Sequence, residues 1–212
     1  TEENGSTACL QLALKRSGFA QKLKQASRGN LRKGQTKFKG VGLAFFAHGS
    51  AFTGDGEAKF KAKGRMELAL LEDGKPGVNI RVSSTEMGQG VHTIFTQIAA
   101  DALSLAPAHI RFPMADTGLV PNSGPTVASR TTMVVGNVVH RSALDLKKQI
   151  EAFASLRYFK GVPAELRDSM LVSKGRKPLA FAKVARDMLE EIGPVSGFFQ
   201  FELPASIQWD QQ

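Results

Sequence analysis

The sequence predicts an α+β fold in which a mixed, twisted β-sheet is covered on one face by helices. Three observations predict it. Ala58–Lys63 and Val78–Val82 alternate apolar with polar side chains, the period of half-exposed strands, with a further apolar run at Met66–Leu71 between them. Residues 91–105 and 128–152 place apolar side chains at helical spacing. Turn-forming Gly and Pro residues separate these stretches.

In chain order, Ala8–Gln25 reads as a helix, with Leu10, Ala13 and Leu14 on one face and Lys22 and Lys24 near its end. Arg28–Gly34 is a basic loop. Strand-like runs follow over Phe38–His48, Ala58–Lys63, Met66–Leu71 and Val78–Val82. The turn Asp73-Gly74-Lys75-Pro76-Gly77 precedes the last of them, and the sheet is expected to be largely antiparallel. Val91–Leu105 is a helix closed by Pro107, and Ile110–Met114 a short strand. After a polar loop over Ala115–Pro125, a long helix spans Ala128–Ala152, with Val135, Val139, Ala143, Leu146 and Ile150 in line. Two shorter helices are expected over Ala164–Leu171 and Leu179–Ile192, the second stopped by Gly193-Pro194. The tail Ser196–Gln212 is extended and apolar, with no identifiable partner in the chain. Three parts result: a basic helical segment at 1–35, an α+β core at 36–152, and a helical segment with the apolar tail at 153–212.

The 212 residues carry a formal charge of +9, and residues 1–65 account for all of it with 13 Lys/Arg against 4 Asp/Glu. Such a patch suits a phosphorylated ligand, an acidic partner segment or plain solvent. A basic non-enzymatic module for nucleic acid or another polyanion is therefore the alternative function. It is weakened by the scarcity of aromatics for base stacking, Phe19 and Phe38 being the only ones before Phe45. No apolar run reaches the roughly 18 residues of a membrane helix, and no signal peptide is evident. The single Cys9 excludes an internal disulfide and fits the cytoplasm. The absence of an initial Met suggests a processed or cut start.

Two loops carry the chemistry. Each follows a strand and opens a helix, where free N–H groups and a partial positive charge suit an anion. In Thr85-Glu86-Met87-Gly88-Gln89-Gly90, the glycines let a ligand approach and Gln89 offers a donor and an acceptor. In Val120–Ser129, the run Ser123-Gly124-Pro125-Thr126-Val127-Ala128-Ser129 leads into Thr131 and Thr132, with hydroxyls at the helix start. Taken singly, each is compatible with an ordinary strand-to-helix turn or an N-cap. Together they favour a phosphate-bearing ligand. His48, His92, His109 and His140 lack metal-ligand spacing. Glu57 and Glu86 are carboxylates without an evident catalytic partner.

Read together, Ser84–Thr93 and Val120–Ser129 resemble the xanthine dehydrogenase and aldehyde oxidase family, the molybdenum hydroxylases. Ala115-Asp116-Thr117 and Phe38–Phe46 add to the likeness, as does the tail segment Ile207-Gln208-Trp209-Asp210. The resemblance implies a molybdenum-cofactor-binding domain. Its first loop would contact molybdopterin through Gln89, with Gly88 and Gly90 beside it. Its second would place the amides of Val127, Ala128 and Ser129, with Thr131, near the pterin phosphate and a small alanine beside the metal. The metal is held by pterin sulfurs, so no protein ligand is expected. The implied reaction hydroxylates a purine-like heterocycle or an aldehyde with oxygen from water. Its glutamate base is expected downstream of this chain, so no catalytic residue is assigned. The chain is expected to be a fragment of a longer subunit, inactive and without cofactor by itself. Expected partners are the remainder of that subunit, iron–sulfur and flavin subunits or domains, and a small-molecule substrate, with neither membrane nor nucleic acid.

Overall fold

The computed structural model describes residues 5–45 and 61–202. Two units divide the chain, residues 1–49 and 50–212. In the first unit, α1 (Ser6–Ser17) and α2 (Phe19–Asn30) replace the single expected helix. The break falls at Gly18, whose φ of 62° is left-handed and caps α1 through its N–H. Because α2 runs on to Asn30, Arg28 and Gly29 are helical and the expected basic loop shrinks to a turn. The Asn30 side chain then donates to the Lys39 carbonyl at 2.8 Å and accepts from the Lys39 N–H at 3.0 Å. Residues 38–45 form no strand; the rest of that expected run, Glu57, His48 and the first half of the run at 58–63 lie outside the described residues.

The second unit is built on a four-stranded sheet whose strands lie in the order Ile110–Arg111, Pro76–Arg81, Lys63–Leu70 and Val195–Gln200. Strand β1 (Lys63–Leu70) pairs antiparallel with β2 (Pro76–Arg81). The turn between them closes through the Leu71 N–H to the Lys75 carbonyl at 2.8 Å. From β2 the chain passes through α3 (Val91–Leu103) to the two-residue strand β3 (Ile110–Arg111), which lies parallel to β2. Helix α3 ends on Ser104 at φ 55°, and the Leu105 N–H reaches back to the Ala100 carbonyl at 2.9 Å. The expected helix from Ala128 starts later. Ala128 has φ 46°, outside helical geometry, and a π-helical turn over Thr131–Val135 precedes α4 (Gly136–Tyr158).

Two expectations fail in the last third. Ala164–Leu171 is not a helix: β4 (Ala164–Arg167) and β5 (Met170–Ser173) form a hairpin, joined in a second sheet by β6 (Leu179–Ala180). Asp168 and Ser169 turn it with φ of 49° and 60°, the backbone a two-residue hairpin turn requires. Helix α5 (Phe181–Ile192) matches the expectation and stops at Gly193, φ 87°. The start of the tail does have a partner. Strand β7 (Val195–Gln200) pairs antiparallel with β1, Met66 opposite Gly197. Residues 203–212 lie outside the described residues.

Alternation on the strands sorts the two faces of the main sheet. Met66, Leu68, Val78 and Ile80 are buried, while Arg65, Glu67, Asn79 and Arg81 on the other face are half-buried. Phe95 of α3, Val138 and Leu146 of α4, and Phe181 of α5 are fully buried in one core with them. Each such side chain contributes about 1.5–3 kcal/mol. Glycines bring α4 close to the strands. A Cβ on Gly197 would collide with the Ser142 carbonyl and the Leu146 backbone, and one on Gly64 would lie 2.6 Å from Val138. The Ser142 hydroxyl donates to the Gly64 carbonyl at 3.1 Å across that contact.

Candidate functional site

Strand β2 delivers the first loop, and the chain leaving β3 delivers the second. Side chains and backbone join them in register. The Ser83 N–H donates to Ser123 Oγ at 3.0 Å, and the Ser123 N–H donates to Ser83 Oγ at 2.8 Å. Two residues on, the Thr85 N–H donates to Thr126 Oγ1 at 2.9 Å. The second loop is also fixed to the start of β1. The Ser123 hydroxyl donates to the Lys63 carbonyl at 2.7 Å, and the Lys63 N–H donates to the Asn122 carbonyl at 3.0 Å. Ser123 is fully buried and has to satisfy its hydroxyl inside the protein.

Within the first loop, Gly88 and Gly90 take φ of 98° and 81°, with nothing within 4 Å of where a Cβ would stand. Gln89 is exposed, yet both ends of its amide are used locally. Its Oε1 accepts the Met87 N–H at 2.6 Å and its Nε2 donates to the Thr85 carbonyl at 2.8 Å. Glu86 is far from an idle solvated carboxylate. Its oxygens accept the N–H groups of Gly88 at 2.8 Å, Gly90 at 3.0 Å and His92 at 3.1 Å. These bonds, the His92 N–H foremost, hold its carboxyl below the ordinary carboxylate value. The start of α3 therefore carries its own anion, which corrects the expectation that both helix starts present free N–H groups to a ligand.

In the second loop, Val127, Ala128 and Ser129 are exposed and Thr131 is buried. Thr131 Oγ1 is buried with no hydrogen-bond partner among the described residues. An unpaired buried hydroxyl costs about 1–3 kcal/mol. Arg130, 3% exposed, donates from Nη1 to the Pro125 carbonyl and from Nη2 to the Ser123 carbonyl, both at 2.8 Å.

The structure thus brings the two predicted loops side by side. The ties run through Ser83, Ser123, Thr85 and Thr126, whose pairing across some 40 residues leaves no local trace in the sequence. Glu86 could have been found, since an acid just ahead of a helix start suits the helix dipole. Among the described residues no group of three or more His, Cys, Asp or Glu could hold a metal, and no helix is long and apolar enough to cross a membrane.

A sheet covered on one face by helices, with two loops stitched together at the strand ends, defines an α+β domain with a candidate binding edge. The chain belongs to the molybdopterin cofactor-binding domain family, whose model matches residues 12–212. It is 30% identical over 174 residues to a probable xanthine dehydrogenase subunit of Bacillus subtilis, covering 79% of this chain and 22% of that protein. It is 31% identical over 133 residues to the putative xanthine dehydrogenase molybdenum-binding subunit XdhA of Escherichia coli, covering 62% and 16%. Among solved structures, the fold is shared with the reconstituted CO dehydrogenase from Oligotropha carboxidovorans, at TM-score 0.55 and 18% identity over 68% of this chain and 18% of that one. It is shared too with quinoline 2-oxidoreductase from Pseudomonas putida 86, at TM-score 0.50 and 19% identity over 66% and 19%. The chain spans less than a quarter of the length of each of these relatives. The alternative of a basic polyanion-binding module finds no support among them.

Proposed function

We propose that this chain supplies two walls of the molybdopterin site of a molybdenum hydroxylase of the xanthine dehydrogenase and aldehyde oxidase type. Gly88, Gln89, Gly90, Val127, Ala128, Ser129 and Thr131 are the residues we assign to the cofactor. The observation that carries this reading is Thr131 Oγ1, buried without a partner just after three exposed loop residues. The open space at Gly88 and Gly90 fits the same reading, because a planar ring system could lie against backbone there. Gln89 would exchange its bonds to Met87 and Thr85 for a ligand edge that likewise both donates and accepts.

When bound, the cofactor would supply a redox centre for hydroxylating an electron-poor carbon of a purine-like heterocycle or an aldehyde with oxygen from water. This chain's own residues bind and orient. Glu86 is not offered as the base, because its oxygens already accept three backbone N–H groups. We assign that base to residues outside the chain, and electron transfer to iron–sulfur and flavin partners. Some relatives are themselves named as subunits of a complex, such as the 6-hydroxypseudooxynicotine dehydrogenase complex subunit gamma of Paenarthrobacter nicotinovorans.

The test is pterin and molybdenum content of the complete subunit, wild type against Gln89→Ala. Loss of both metal and hydroxylation in the variant is expected. A wild-type subunit without pterin overturns the function, and unchanged content with unchanged hydroxylation overturns the role of Gln89.

A further inference from the structure

We propose that Arg130 is the positioning residue that fixes the second loop in its cofactor-binding shape. The inference rests on the reading above and adds a requirement to it.

An arginine is almost never fully buried without fixed partners. Arg130 is 3% exposed, and its planar fork spans two carbonyls of the loop that precedes it, Ser123 and Pro125. Gly124 lies between them at φ 76°. A Cβ there would stand 2.5 Å from Nη2 and 2.9 Å from Cζ. The backbone is thus wrapped directly onto the guanidinium, and only glycine leaves the room.

The consequence is a closed ring. Ser123 is pinned from outside by Ser83 and by the Lys63 carbonyl. Arg130 ties that pinned residue to the start of the π-helical turn, seven residues later. Residues 124–129 are held between the two ends, and they include Val127, Ala128 and Ser129. Inside the ring Ala128 keeps φ 46°, a conformation that L-residues avoid at a cost of about 1–2 kcal/mol. Such a conformer persists only where the surroundings over-determine it. Arg130 and Thr131 are adjacent, so the group that closes the ring also sets where the unpaired Thr131 hydroxyl sits. A lysine offers one compact ammonium without the planar fork and does not span both carbonyls.

The experiment uses the complete subunit in four forms: wild type, Arg130→Lys, Gly124→Ala and Ser142→Ala. Gly124→Ala displaces the loop without removing the charge. Ser142→Ala removes a buried hydrogen bond at the α4–β1 contact and leaves the loop alone, so it reports general destabilisation. Two quantities are read: pterin bound per subunit, and amide exchange of residues 124–131 against residues 142–150. Arg130→Lys and Gly124→Ala are expected to lower pterin occupancy roughly tenfold, the usual cost of losing a group that orients a ligand's contacts. Both should raise exchange in 124–131 while 142–150 stays protected, and Ser142→Ala should retain its pterin. Full pterin in Arg130→Lys, beside a loaded wild type, overturns the inference and leaves the proposed function standing. So does a loss shared equally by Ser142→Ala. If Arg130→Lys does not fold, Gly124→Ala decides by the same two readings. A wild type without pterin overturns the proposed function; unchanged exchange in both loop variants then overturns the positioning role as well.

Discussion

Ser83 and Ser123 each donate a backbone N–H to the other's hydroxyl oxygen, at 3.0 and 2.8 Å. This reciprocal pair does for two irregular segments what a ladder does for strands. It fixes one register between the end of β2 and the loop leading to α4. It also leaves the Ser123 hydroxyl hydrogen for the Lys63 carbonyl, so one buried serine joins three segments.

Replacing Ser123 by Ala should therefore cost more than one ordinary hydrogen bond. It strands the Ser83 N–H and removes the donor to Lys63, about 1–3 kcal/mol for each buried group left unpaired. Urea unfolding of the complete subunit measures the cost, and a change within about 0.5 kcal/mol would show that water replaces the hydroxyl.

Glu86 gives the first loop a pH dependence of definite sign. Its carboxyl titrates below the ordinary value while it accepts the N–H groups of His92, Gly90 and Gly88. Its contribution is thus complete above the ordinary carboxylate range and is lost as pH falls through the lowered folded value. Exchange protection of those three amides, corrected for intrinsic rate, should hold down to that range and fall below it. In Glu86→Gln it should be weaker and flat with pH; a wild-type profile equally flat would remove the assignment.

Gly197→Ala should destabilise the second unit although it adds only a methyl group. The new Cβ would meet the Ser142 carbonyl and the Leu146 backbone, which a helix cannot turn aside as a side chain would. Such overpacking costs about 1–3 kcal/mol, readable as a lower urea midpoint with an unchanged slope.

The outer edge of β7 is blunted by α4. Asp145 accepts the Phe198 N–H at 3.1 Å, and Gln149 donates to the Ser196 carbonyl at 3.0 Å. An unprotected edge is a template for pairing with another chain. Replacing both Asp145 and Gln149 by Ala should raise self-association in a concentration series by light scattering, and a monodisperse double variant would show that the edge is guarded in another way.

The parts legible in the sequence are those whose information is local. Alternation marks β2, the apolar run Met66–Leu71 marks most of β1, and helical spacing marks α3, α4 and α5. Gly88 and Gly90 announce a loop that needs positive φ. The β4–β5 hairpin reads as a helix because its turn uses Asp168 and Ser169, where glycine or asparagine would have signalled the backbone. The partner of β7 is β1, some 130 residues away in sequence, and no window reaches that far. The same holds at the site. The loops are visible, but the ties between Ser83 and Ser123 and between Thr85 and Thr126 are not. A buried Arg130 looks from the sequence like any surface cation.

Glu86 has one more effect. Because its carboxylate already fills the start of α3, a phosphate brought there would meet a like charge in place of vacant amides. The two loops, alike in layout, are thus unlike in what they can read. In the site we propose, the first loop would read the hydrogen-bonding pattern of an uncharged edge and leave charge to the second, so a ligand would have to satisfy both form and charge to seat.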